Sequence, residues 1–162
     1  MTIGAARPAL EIATRYSSKR KAFGRPIRDF QGVSFQVAEA VTLLDASRSL
    51  VYTTALAVDR GDDPNRVRRL VSEAKKFVTE SCQKVARLSM QVMGGIGYTN
   101  VFPVERIVRD LGLASIWTGS NEVMSLIIGT EWYKEFEKAG PPSRDIELDA
   151  QCADDEEEKV YE

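Results

Sequence analysis

Histidine is absent from all 162 residues. That removes the side chain most often used as a general base near neutral pH, the Ser-His and Cys-His nucleophile pairs, and the commonest metal ligand. Proton abstraction by this chain falls to a carboxylate, a lysine or a tyrosine; otherwise the chemistry belongs to a bound cofactor. Cysteine is scarce, and the two present, Cys82 and Cys152, lie far apart and form no metal-spacing motif. Cys82 falls mid-helix and Cys152 in a tail, which argues for no disulfide, no metal and a reducing, cytoplasmic compartment. No apolar run approaches the roughly 20 residues that span a membrane. The opening Met1-Thr2-Ile3-Gly4-Ala5-Ala6-Arg7 lacks the layout of a signal peptide. Neither sign of charge dominates, since the net charge is -2, so nothing points to nucleic acid. Nothing reads as a strand-turn-strand unit, and no internal repeat is evident.

What is present is helical patterning, on a chain long enough for one domain with a real core. Apolar positions at Ile3, Leu10, Ile12, Ala13 and Tyr16 predict a first helix. Proline is tolerated in a first helical turn and not in an interior, so this helix is placed from near Pro8 to about Lys21. It has no capping box, and the chain reads as if it began within a longer element. Asp29 is the candidate cap of a second helix over 29–60, whose stripe is Phe30, Val33, Val37, Val41, Leu44, Ser47, Val51, Thr54 and Val58. Asp63 as N-cap and Pro64 in the first turn open a third, to about Met93, with the stripe Val67, Val71, Ala74, Val78, Cys82, Val85, Leu88 and Val92. Two long helices joined by so short a turn lie antiparallel, and further helices must cover their stripes. A short helix from Pro103 to about Leu113 and another from Ser120 or Asn121 to about Lys138 supply the cover. The last carries Val123, Leu126, Ile127, Thr130, Tyr133 and Phe136 on one side. Glu80 with Lys84, Glu105 with Arg109 and Arg106 with Asp110 are expected as close helical pairs. Glu11, Glu39 and Glu73 are read as solvated, and Trp117 as core or a pocket wall. Pro141-Pro142 and the acidic run Asp154-Asp155-Glu156-Glu157-Glu158 divide the chain into a bundle over 1–139 and an acidic tail over 140–162 that lacks the apolar residues to fold.

Three interruptions in this patterning attract chemistry. Gly94, Gly95 and Gly97 break the third helix, and Gly119-Ser120 makes a second break. Glycine-capped helix connections explain both; so does backbone held open for a ligand. Gly24 and Pro26 break the chain among Arg20, Lys21, Arg25 and Arg28, a turn that is either a solvated basic loop or a phosphate contact for arginine's fork. Glu122 is either a first-turn glutamate favoured by the helix dipole or a cofactor contact.

Arg20-Lys21-Ala22-Phe23-Gly24, Gln31, Gln91-Val92-Met93-Gly94-Gly95-Ile96-Gly97-Tyr98, Pro103-Val104-Glu105-Arg106 with Arg109-Asp110, and Ile116-Trp117-Thr118-Gly119-Ser120-Asn121-Glu122 follow one another in this order. Together they resemble the C-terminal helical domain of the acyl-CoA dehydrogenases, over roughly residues 5–135. The resemblance implies an all-α domain, an antiparallel up-and-down bundle of the four-helix type with long helices, at the centre of a homo-oligomer, a dimer or tetramer. It implies FAD between domains and across a subunit interface, with acyl-CoA stacked on the flavin and a carboxylate taking its α-proton. By resemblance, Arg20 meets the pyrophosphate of a neighbour's FAD, Phe23 anchors beside it, and Gln31 reaches its adenosine side. Gln91, Gly94 and Gly95 approach the adenine-ribose part of the same neighbouring cofactor. Ser120 and Glu122 touch the subunit's own FAD.

Two departures follow. Thr118 stands where many members carry the catalytic glutamate, and a hydroxyl without a histidine is too weak a base for the α-proton. Members with the glutamate on the helix corresponding to the first one here place it before Met1. The N-terminal helical domain and middle β-domain of the family are also absent. No catalytic residue is therefore assigned. The leading reading is the FAD-contacting, oligomerising part of an acyl-CoA dehydrogenase-type flavoprotein that oxidises acyl-CoA to enoyl-CoA, either with a separate chain carrying the other domains or as a truncated piece of a longer protein. The alternative is a non-catalytic assembly module that has lost the base.

Overall fold

The structure, a computed structural model, describes residues 1–140. They form an all-α bundle with one minute hairpin. In order these are α1 (Thr2–Lys19), β1 (Lys21–Ala22), β2 (Arg25–Pro26), a 3-10 turn over Ile27–Asp29, α2 (Gln31–Asp59), α3 (Pro64–Met93), the single turn α4 (Gly95–Tyr98), α5 (Val104–Leu113) and α6 (Asn121–Ala139). The acidic tail lies outside the described residues apart from Gly140.

The third helix is central and is packed by α1, α2, α5 and α6. Its start is built as the sequence suggests, with the Asp63 carboxylate accepting from the amides of Asn65 at 3.0 Å and Arg66 at 3.1 Å and Pro64 following in the first turn. Gly94, at φ +65°, ends it. Ala74, Val78, Cys82, Val85 and Val92 of its stripe are buried, while Val71 is exposed. On α2 the line of contact is Ala40, Ser47, Thr54 and Ala57, and Val41, Val51 and Val58 of the expected stripe face outward. Small residues on the contact line let the helices approach closely, and the valines flank it.

The first helix begins six residues before Pro8, not at it. Pro8 lies in its interior, where the missing N–H and the ring against the carbonyl of Gly4 cost about 3 kcal/mol. Ala6, Ala9 and Ala13, all wholly buried, offset that by packing the helix onto the bundle. Asp29 does not cap α2: it sits in the 3-10 turn and pairs with Arg28 at 3.7 Å, and Phe30 takes the cap position without a side-chain bond. The hairpin was not expected either. Lys21 pairs with Pro26 and Ala22 with Arg25, and the turn between them has φ +51° at Phe23 and +82° at Gly24. Strands this short show no alternation, so only the turn residues could have signalled them.

Several expected pairs re-form elsewhere. Glu80 takes Lys76 at 2.6 Å, and Lys84 reaches Glu39 of α2 at 2.6 Å. Glu11 pairs with Arg7 and Glu73 with Arg69, so none of the three glutamates read as solvated is left without a partner. The α5 pairs do not form among the described residues; exposed pairs gain little against the entropy of two long side chains.

The sixth helix is inside out. Its two buried residues are Asn121 and Glu131. Its apolar stripe faces solvent instead, with Leu126 71% exposed, Tyr133 69% and Phe136 61%. Polar bonds dock it onto α3. Arg69 gives Glu135 a two-pronged pair at 2.9 and 2.8 Å, holds Glu73 at 2.6 Å and lies 5.3 Å over the Trp132 ring. Glu131 accepts from Arg68 and Lys134, each at 3.3 Å.

Cys82 is a free, wholly buried thiol, and burial pushes its pKa up to about 11. We expect it to resist iodoacetamide at pH 8 until the protein is denatured, as mass-resolved alkylation would read. Because the folded pKa lies above the unfolded one, its contribution to stability is full below the unfolded value of roughly 9 and is lost as pH rises from there towards 11. Rapid labelling of the folded protein at Cys82 would contradict this.

Candidate flavin half-sites

Two separate groups of candidate residues emerge. The first gathers where α1 ends, α2 begins and α3 ends. Arg20 caps α1, its amide donating to the Tyr16 carbonyl at 2.8 Å and its carbonyl accepting from Ile27 at 2.8 Å. The backbone is thereby fixed while the guanidinium stays exposed and pairs with no carboxylate among the described residues. Tyr16, Arg20, Ile27, Gln91, Gly94 and Gly95 line one shallow cleft of about 490 Å³. Phe23, Arg25 and Gln31 do not line it, and all three are exposed. Phe23 is 96% exposed and held at positive φ, a conformation costing a bulky residue about 1–3 kcal/mol. Its ring meets Phe30 edge to face at 6.1 Å, and Arg25 covers the other ring at 4.1 Å.

Gly94 and Gly95 of this cleft and Gly97 just after them have different reasons to be glycine. A Cβ on Gly97 would sit 2.9 Å from the Met90 carbonyl oxygen and 2.9 Å from the Met93 Cβ, so α4 packs on α3 only without a side chain there. Gly94 needs its positive φ to turn the chain. Gly95 needs neither: a Cβ there would meet nothing within 4 Å, and its φ is ordinary. The openness at Gly95 faces outward, where another molecule's atoms can come against bare backbone. An unpaired guanidinium, an exposed aromatic ring and an open glycine backbone suit the diphosphate and the flat rings of a dinucleotide. The residues present thus fit FAD.

The second group lies at the start of α6, beside the middle of α3. Twelve residues of α3 separate Thr79 there from Gln91 in the cleft, roughly 18 Å along the helix. Here the chain loops through Ile116, Trp117, Thr118, Gly119 and Ser120, with φ +50° at Thr118 and +91° at Gly119. Ile116, Trp117 and Thr118 are exposed, so Trp117 belongs to neither core cluster. Glu122, also exposed, is drawn below the usual carboxylate range first by the Ser120 hydroxyl, then by its own backbone amide and the nearby Lys75 and Lys76. Burial pulls the Lys75 ammonium below the ordinary lysine value, and Glu122 and Glu80 pull it back up. The sequence named Ser120 and Glu122 as cofactor contacts and Asn121 only as a possible helix cap, and gave no sign of Lys75 and Thr79, which with Asn121 join the loop to α3 through polar bonds. Their signal was weak, since one lysine on a charged helix face looks like any other. A groove of about 450 Å³ between α1 and α2, lined by Arg7, Leu10, Glu11, Leu44 and Arg48 among others, contains none of the candidate cofactor-binding residues.

Comparison with known proteins decides the family. A model of the acyl-CoA dehydrogenase C-terminal domain matches residues 1–132. This chain belongs to the acyl-CoA dehydrogenase family. It is 40% identical over 126 residues to an acyl-CoA dehydrogenase of Bacillus subtilis, covering 78% of this chain and 32% of that protein. It is 35% identical over 127 residues to the CarC subunit of the caffeyl-CoA reductase-Etf complex of Acetobacterium woodii, covering 78% and 33%. Among solved structures, butyryl-CoA dehydrogenase of Megasphaera elsdenii superposes with a TM-score of 0.77 at 32% identity, over 82% of this chain and 34% of that one. The chain therefore spans about a third of the length of such relatives. No described helix is long and apolar enough to cross a membrane, and no described cluster of acids or thiols has the grouping of a metal site.

Proposed function

We propose that this chain is the FAD-contacting and oligomerising C-terminal part of an acyl-CoA dehydrogenase-type oxidoreductase, which needs the family's N-terminal and middle domains for its chemistry. The carrying observation is the pair of half-sites about 18 Å apart on one helix, one with an open Gly95 backbone beside Arg20. Their spacing suits a subunit that touches a neighbour's cofactor at one end and its own at the other. Arg20 would hold the diphosphate, with Gln91, Gly94 and Gly95 against the adenine-ribose part; Phe23 would anchor beside the cofactor and Gln31 would reach its adenosine side. Ser120 and Glu122 would meet the second flavin. The chemistry a bound flavin supplies is acceptance of the hydride from the β-carbon of an acyl-CoA. Thr118 takes no proton in this scheme, so the base for the α-proton comes from the part of the enzyme outside these residues. The bundle proper is residues 1–139, and its compartment is the cytoplasm, in keeping with a free, buried thiol. The Etf complex to which a relative belongs supports an electron-transfer flavoprotein as acceptor.

Self-association rests on α6. Leu126, Tyr133 and Phe136 share one exposed face, and an apolar helical stripe left in water is covered by a partner more often than not. A dimer or tetramer is expected by light scattering, and Leu126→Glu with Tyr133→Glu is expected to leave folded monomers. A wild-type monomer at tens of micromolar would count against the oligomer.

The other reading, an assembly module without chemistry, is motivated by Thr118 and by the family domains that this sequence does not contain. Size exclusion with mass detection and a visible absorbance scan after adding FAD separates the two. An oligomer carrying flavin absorbance supports the enzyme part, and reconstitution with the family's N-terminal and middle domains then tests dye reduction by acyl-CoA. A colourless oligomer supports the module.

A further inference from the structure

The loop over 115–121 holds two successive positive φ values, +50° at Thr118 and +91° at Gly119. A β-branched residue keeps that conformation only where its surroundings over-determine it. Here the side chains of the loop do not hold it, because Ile116, Trp117 and Thr118 point to solvent. Its two ends do. The Asn121 amide donates to the Ser115 carbonyl at 3.0 Å, closing the loop on itself. Beneath the closure lies the Lys75 ammonium, which donates to that same Ser115 carbonyl at 3.3 Å and to the Asn121 Oδ1 at 2.7 Å. The Asn121 side chain is buried, and its amide orientation is fixed by its neighbours. Nδ2 donates to Thr79 Oγ1 at 3.0 Å and to Glu80 Oε1 at 3.2 Å, leaving Oδ1 for the lysine, while the Thr79 hydroxyl donates to the Lys76 carbonyl at 3.1 Å.

We infer that Lys75 is a positioning residue: its single ammonium ties both ends of the strained loop to α3 and so sets where Thr118, Gly119 and Ser120 are presented. A compact ammonium with three donors suits two carbonyl-type oxygens that converge from different directions. Without it, Ser115 keeps only the Asn121 amide and Oδ1 loses its short charged bond, so the loop relaxes while the helices stay packed through their own contacts. The consequence for flavin rests on the reading of Ser120 and Glu122 given above; the consequence for the loop does not.

The test is hydrogen exchange read by mass spectrometry on Lys75→Met, with FAD titrated into the same preparations and followed by flavin fluorescence. Peptides covering 115–121 are expected to exchange at least tenfold faster while α3 and the second half of α6 keep wild-type protection, and FAD to bind several-fold more weakly. Asn121→Ala is expected to give the same loop signature. The double variant is expected to exchange no faster than the faster single one, since both cut one link. Unchanged loop exchange in Lys75→Met overturns the inference. So does loss of protection along the whole of α3 and α6, which marks a merely structural lysine, and so do additive effects in the double variant. If the unmodified chain binds no FAD, the proposed cofactor role fails while the exchange arm still decides the clamp.

Discussion

Arg69→Ala is expected to lower the stability of the bundle by about 2–3 kcal/mol and its thermal midpoint by roughly 8–10 °C. Removing one partner of a fully buried pair costs about 3–5 kcal/mol, because the carboxylate left behind has lost both its charge partner and its water. Here the arginine is 13% exposed and its partners Glu135 and Glu73 are 26% and 29% exposed, so solvent returns part of that and the estimate falls below the buried range. What keeps it large is geometry. One guanidinium makes a two-pronged bond to Glu135, a second bond to Glu73 and a stacking contact with Trp132, and these span α3 and α6. Both ends of the pair agree in direction. The Glu135 bond, together with Glu73, raises the arginine above its ordinary value against a desolvation penalty, and the same bond holds Glu135 below the usual carboxylate range. A depressed carboxylate contributes stability above its unfolded value near 4.5 that is lost as pH falls through the lower folded value. Acidification from pH 6 to pH 3 should therefore cost the wild type more stability than Arg69→Ala. Urea unfolding followed by tryptophan emission at several pH values checks both statements. A loss below about 0.5 kcal/mol, the range of an ordinary exposed pair, would show that α6 is held by something else.

That dependence of α6 on polar contacts explains where the sequence misleads. Periodicity correctly found α3, because its stripe is buried by neighbours within the same chain. The same rule applied to α6 finds an equally good stripe, Val123 to Phe136, yet that stripe faces outward and the helix docks through Asn121, Glu131 and Glu135. Periodicity reports that an apolar face exists and not which molecule covers it. Pro8 misleads in a related way, since a local rule about helix starts yields to the burial of three alanines on the opposite face. Glu80 and Lys84 satisfy the spacing for a helical pair, but Lys76 and Glu39 offer each a partner at 2.6 Å. At the candidate sites the position of residues was legible and their support was not. Arg20, Gln91, Gly94 and Gly95 do line one cleft. The loop before α6 depends on Lys75 and Thr79, and no local pattern links Asn121 to residues more than 40 positions away from it in the chain.

Gly95 in the cleft and the buried Gly97 beyond it should separate folding from cofactor binding. Gly97→Ala is expected to cost about 1–3 kcal/mol. The added Cβ meets the Met90 carbonyl oxygen and the Met93 Cβ at 2.9 Å each, and the first is backbone in the last turn of α3, so no flexible side chain can move out of the way. Gly95→Ala meets nothing, sits in the first turn of α4 at an ordinary φ, and replaces glycine with the best helix former, so stability should hold or rise slightly. If the bare backbone of Gly95 is where the adenine-ribose part of a neighbour's FAD comes close, the same methyl group that the fold ignores should weaken FAD at least tenfold, and Gly95→Leu should abolish binding. Gly97→Ala, provided it is assayed well below its own midpoint, should bind FAD nearly as the wild type does. The pair is read by thermal melts and by FAD titration on the same preparations. Gly95→Ala with unaltered FAD affinity would mean that the space beside it admits solvent and not a cofactor. Destabilisation of Gly95→Ala to the level of Gly97→Ala would mean that its openness is filled by this protein itself.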